Sequence, residues 1–200
     1  MRAYSPAELS YLQSRNGYKV CGLLWVRPRD PATGLRVGMG FWTGEQDASF
    51  TIDAVLRSYV GGGRLVSLDA IVMEAGLTVR MQHVNMQPLF AEVAQLLRGL
   101  NAWRAPVEIH RALFNPETNV LIATPHRPWR GVLDEAPIRT PEVGGEATVE
   151  LTLASATEAL TRGLTLTRSD AVQSLRGNDR FLRYIGVTGT VDVFWGAKRK

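Results

Sequence analysis

One cysteine, Cys21, in 200 residues excludes an intrachain disulfide and any cysteine-built zinc or iron–sulfur site. A reducing compartment during folding is the expectation that follows. Long apolar runs are missing too. The longest, residues 20–26, falls far short of the roughly 20 residues that span a bilayer as a helix, so no stable membrane insertion is expected. The opening MRAYSPAELSYLQ is amphipathic and carries Glu8, which does not suit a secretory leader. Lysine is scarce: Lys19, Lys198 and Lys200 stand among 23 basic residues, and the rest are arginine.

What is present is the composition of a soluble globular chain, 45% hydrophobic with a mean hydropathy of −0.07. The formal charge of +4 is unevenly spread. Residues 162–200 carry Arg162, Arg168, Arg176, Arg180, Arg183, Lys198, Arg199 and Lys200 against Asp170, Asp179 and Asp192, whereas the preceding residues nearly balance. This break divides the chain into a body, residues 1–155, and a basic segment, residues 156–200, expected to pack on the body or on a neighbouring subunit. Such a segment suits an acidic protein surface or nucleic acid.

Local patterns favour short strands. Ser5, Pro6 and Glu8 form a capping box for a first helix edged by Leu9 and Leu12. Residues 18–26 read as a buried strand, and PRDPATG turns the chain into a second arm at residues 35–42. Further strands are expected at residues 50–52, 65–71 and 77–84, the last with Leu77, Val79 and Met81 on its buried face. Leu89, Val93, Leu96 and Leu97 fall at helical spacing, with Gly99 as the stop. Val107, Ile109 and Leu113 return to strand spacing, and a turn at residues 115–119 leads into a partner strand at 120–123. Val149, Leu151 and Leu153 form the cleanest alternation, expected to face a core shared with Val107 and Ile109. Ser155 and Glu158 cap a short helix ending at Gly163, and Val191, Val193 and Trp195 alternate once more. The expected fold is mainly β, an antiparallel sandwich or barrel with a few short helices.

Residues able to carry chemistry are present but do not converge. His83, His110 and His126 lie too far apart in sequence for a local metal motif, and they read as surface or capping histidines. Gly61-Gly62-Gly63-Arg64 lacks the Gly-Lys-Ser/Thr ending of a phosphate loop and reads as a flexible loop tip. Asp134 and Glu135 are adjacent, so on a strand they point to opposite faces. Cys21 sits among apolar neighbours as an inert thiol, and no G-x-S-x-G elbow occurs. The expectation is no enzyme, no catalytic or cofactor-binding residue and no metal. Trp25, Trp42, Trp103, Trp129 and Trp195 are spread along the chain and suit cores, interfaces or a sugar-binding face.

The order of segments is more telling. GFWTGEQDASF, LTVRMQHVNMQP, APVEIHRALFNPETNVL, PWRGVLDEAPI and ATVELTLAS follow one another, and SDAVQSLRGNDRFLRYIGVTGTVDVFWG closes the chain. This succession resembles a tail protein family of siphophages and gene transfer agents whose members build the baseplate hub. The resemblance implies an antiparallel β-barrel hub related to tube-forming tail proteins, assembled as a ring around the tail axis. It also implies a structural virion protein at the tail tip, synthesised in the host cytoplasm. The implied neighbours are a distal tail or tube protein and a tip or fibre protein. A trimeric ring is favoured over a hexameric one, and DNA is met only in transit. The alternative is a carbohydrate- or receptor-binding β-module. The family brings no active site with it.

Overall fold

The computed structural model describes residues 5–72, 78–139, 147–161 and 167–190. It is mainly β, with antiparallel sheets. The chain divides into two compact units, Met1–Thr161 and Arg162–Lys200.

The first unit begins with α1 (Pro6–Gln13), followed by β1 (Lys19–Val26), β2 (Met39–Trp42), β3 (Ala48–Ile52), β4 (Val55–Tyr59), β5 (Leu65–Leu68) and β6 (Met81–Met86). Next come α2 (Ala91–Ala94), β7 (Pro106–Phe114), β8 (His126–Glu135), β9 (Ile138–Arg139), β10 (Thr148–Ser155) and α3 (Glu158–Thr161). Eight strands form one sheet in the order β2-β1-β7-β8-β10-β6-β5, with β9 also pairing β10, while β3 and β4 form a separate hairpin. The large sheet is not closed into a barrel. It nevertheless curls, because Phe41 of β2 and Leu65 of β5, strands at its opposite ends, belong to one buried cluster.

That cluster contains Val107, Ile109, Val149, Leu151 and Leu153 together, as the alternation along these strands requires. Val93 and Leu96 reach it from the segment that follows β6. This segment is shorter than its periodicity suggests: α2 gives way to a π-turn at Gln95–Gly99, and Leu89 is exposed. The buried face of β6 also differs from expectation. Gln82, Val84 and Met86 point inward and Met81 is half exposed, a shift of one residue that reverses the strand's faces. The inward Gln82 is accommodated because its Nε2 donates to the Asp69 carbonyl at 2.9 Å. Val79 lies before β6, and Leu77 falls outside the described residues.

Three further expectations are corrected. Residues 120–123 contribute only an isolated bridge, Phe114 to Leu121, and the strands that flank β7 are β1 and β8. In α1 the single buried residue is Glu8, while Leu9 is exposed. The Ser5 hydroxyl accepts from Glu8 N–H, but the Glu8 carboxylate turns to His126, 3.3 Å away. The Glu158 carboxylate likewise does not close a capping box, because Arg104 takes both its oxygens at 2.9 Å.

Candidate functional site

The β3–β4 hairpin was not foreseen as a hairpin because its turn carries no glycine. Asp53 and Ala54 both have positive φ, 50° and 61°, the backbone of a two-residue I′ connection. The register Ala48↔Tyr59, Phe50↔Arg57 and Ile52↔Val55 puts Phe50, Ile52, Arg57 and Tyr59 on one face. That face covers the side of β1 and β7 turned away from the main core. Leu23, Phe50, Ile52, Tyr59 and Ala112 form a second buried cluster there, with Trp25, Trp42 and Phe114 packed against it. Ring centroids lie 5.4 Å apart for Trp25–Tyr59, 5.4 Å for Trp42–Phe50 and 5.6 Å for Phe50–Tyr59, within the range of favourable aromatic pairs. Gly40 permits the close approach: a Cβ there would lie 2.5 Å from the Ser58 carbonyl oxygen.

Beneath the hairpin lies a polar cluster. Arg57 donates to Glu108 at 2.7 Å, and Arg127 donates to the other Glu108 oxygen at 3.1 Å. Asp53 stands 3.8 Å from Arg57 and 3.6 Å from Arg127, and the Arg57 guanidinium lies over the Trp25 ring at 5.2 Å. His110 is fully buried, with Nε2 at 3.7 Å from Glu108 and no hydrogen-bond partner for either ring nitrogen. Burial lowers the imidazole from its ordinary 6.5 to about 4, against the pull of Glu108. Burial also pushes the Tyr59 hydroxyl up to about 12. Burial alone would raise the Glu108 carboxyl, but the hydrogen bond and charge of Arg57, with Arg127, hold it below the ordinary value.

At neutral pH, therefore, a neutral imidazole lies sealed under a lid that two arginines and one carboxylate hold down. A buried base without access to solvent cannot meet a substrate, and the cluster acts as a clamp on the hairpin. Sequence reasoning missed Arg57, Glu108 and Arg127. The available signal was weak: Glu108 and His110 alternate with Val107 and Ile109, yet nothing local says what would cover that polar face.

The other residues singled out from sequence do not join this cluster. His110 is buried rather than exposed, because the hairpin covers it. His83 lies 3.2 Å from Glu150 and His126 lies beside Glu8, so the three histidines serve three separate places. No group of three or more His, Cys, Asp or Glu able to hold a metal occurs among the described residues. The Gly61–Gly63 stretch forms the turn between β4 and β5, with Gly62 and Gly63 exposed at its tip in the left-handed region, φ 69° and 82°, and Gly61 buried at its base. Gly61 N–H donates to Asp47, Gly62 N–H donates to the Gly44 carbonyl, and Arg64 pairs with Glu92. Cys21 is buried in β1. Asp134 and Glu135 end β8. Trp25, Trp42 and Trp129 are partly buried against the two clusters, Trp103 is 70% exposed, and Trp195 lies outside the described residues.

The second unit has a different character. Helix α4 (Asp170–Ser174) is capped by Ser169, whose hydroxyl accepts from Val172 N–H. Arg180 pairs with Asp170 at 2.7 Å, and Asp179 accepts from Gln173 and from Phe181 N–H. None of its described residues is buried, Thr188 aside; Leu175, Phe181 and Tyr184 are exposed next to Arg176, Arg180 and Arg183, and Ile185 and Val187 are exposed too. The expected strand at Val191, Val193 and Trp195, and the anchor Phe194, fall outside the described residues. No protein-family model matches this chain, and no curated protein matches it.

Proposed function

We propose that the protein is a structural subunit of the tail tip of a siphophage-type particle or gene transfer agent. In this role it is a baseplate-hub component that joins the tail tube to the tip as part of a ring. The observation that carries this reading is the second unit. Among its described residues there is no cysteine and, Thr188 aside, no buried side chain, and Phe181 and Tyr184 are exposed, flanked by Arg180 and Arg183. Aromatic residues and arginines are the residue types that anchor protein interfaces. The mainly β first unit supports the same reading, with its curled sheet taken as a barrel open along one seam. The sealed state of His110 beneath the hairpin agrees with a structural rather than a catalytic role for that cluster.

In this role the basic unit docks on a neighbouring subunit or adjoining ring, and DNA passes without being held. Light scattering on the full-length protein, followed by particle counting in negative-stain micrographs, tests the assembly. Rings, with three-fold symmetry favoured, are expected. A monodisperse monomer at every concentration, absent from purified tails, would overturn the proposal.

A further inference from the structure

Trp103 is held out into solvent by an ordered corner of the chain. The Asn101 side-chain oxygen accepts from Trp103 N–H at 3.2 Å, and Ala105 N–H closes the turn on the Ala102 carbonyl. Arg104 adopts a φ of +53°, in the left-handed region that a non-glycine residue enters at a cost. Its N–H donates to the Leu133 carbonyl, and its guanidinium is fixed on Glu158. The indole N–H meets no acceptor among the described residues, and the ring borders a groove of about 320 Å³. Leu97 and Leu133 contribute apolar surface to this groove, and Asn101, Asp134 and Glu135 border it too. The two acidic residues share it because a bulge, with Leu133 and Glu135 pairing consecutive residues of β10, leaves Asp134 unpaired and breaks the alternation of β8. Neither carboxylate has an ion pair or side-chain hydrogen bond with the described residues, because Arg104, the nearby cation, is committed to Glu158.

We propose that the Trp103 groove binds a neutral saccharide, one or two pyranose rings long. An exposed indole offers a flat apolar face and a donor at its edge. Two uncommitted carboxylates accept from ring hydroxyls, and the Asn101 amide has donors left to give. The groove size lies at the small end of ligand sites. Phosphate, sulfate and other anions are disfavoured by Asp134 and Glu135. This site is independent of the assembly role above and lies wholly in the first unit.

Oxidation of the full-length protein by N-bromosuccinimide, followed by peptide mass spectrometry, reads Trp103 separately from the partly buried tryptophans. The probes are neutral tetrasaccharides of glucose, galactose and N-acetylglucosamine at millimolar concentration. At least one is expected to slow Trp103 oxidation several-fold while leaving Trp25 and Trp42 unchanged. The Asp134→Asn, Glu135→Gln double variant should weaken that protection about tenfold. Trp103→Ala should abolish calorimetric binding of the same tetrasaccharide without moving the melting temperature, since the ring is exposed. Protection by none of the glycans overturns the proposal. If protection instead rises with protein concentration alone, the groove is a contact between copies of the chain and not a sugar site.

Discussion

Leu151 and Thr152 are neighbours in β10, yet they meet opposite fates. Leu151 is fully buried in the main cluster, while Thr152 is part-exposed opposite His83. A carboxylate at 151 would be an unpaired charge in an apolar core, costing several kcal/mol. Leu151→Asp should therefore abolish the cooperative melting transition in circular dichroism, whereas Thr152→Asp should melt within a few degrees of the parent. Equal tolerance at both positions would mean that the strand register is wrong. His110 gives a second residue-level expectation. Its folded value of about 4 lies below the 6.5 it has when exposed, so the unfolded chain takes up the proton first. Stability present above pH 6.5 is then lost progressively between pH 6.5 and 4, by on the order of 3 kcal/mol in all. The depressed Glu108 carboxyl adds loss in the same direction at lower pH. Urea unfolding of the parent and of His110→Leu across this range measures the difference, and the variant should show a flatter profile.

At the scale of elements, the hairpin is the part whose attachment can be dissected. Arg57 and Glu108 are separated by 51 residues in sequence but bonded at 2.7 Å, with side chains mostly buried. Removing either partner strands the other in a poorly solvated place, costing about 2–3 kcal/mol. Arg57→Met and Glu108→Gln should each destabilise by that amount. The double variant should lose less than the sum, with a coupling of at least about 1 kcal/mol. Additive losses would show that the aromatic contacts of Trp25, Phe50 and Tyr59 hold the hairpin without the clamp. The β6 reversal belongs to this scale as well. Its sequence offers two apolar faces of similar quality, and the hydrogen bond from Gln82 to the Asp69 carbonyl lets a polar residue occupy the buried one.

For the whole molecule, the decisive operation is to separate the units. The described first unit contains both buried clusters, and the described second unit contains none. A chain ending at Thr161 should keep its far-ultraviolet β signature and a single melting transition, yet stay monomeric where the full chain assembles. If the shortened chain still forms rings but loses salt-sensitive retention on DNA, the basic unit serves nucleic acid instead. If it does not fold, the second unit is part of the core and the division at Thr161 is misplaced.

The sequence by itself determined the β class, the strands β1, β3, β7 and β10, and the pairing of Val107 and Ile109 with Val149, Leu151 and Leu153 in one core. These follow from period-two alternation, a local property that survives whatever the rest of the chain does. It also determined the charge break near the junction of the two units, since composition needs no fold to be read. Tertiary structure alone decided that β7 pairs with β8 rather than with residues 120–123, because pairing depends on which distant strand supplies a complementary face. It decided that Glu8 and His110 are buried, since each is covered by an element far away in sequence, and that Arg57, Arg127 and Glu108 meet. Among the described tryptophans, it also decided that Trp103 remains exposed. Trp25, Trp42 and Trp103 look alike along the chain, but only at Trp103 does the corner made by Asn101, Arg104 and Glu158 turn the ring outward.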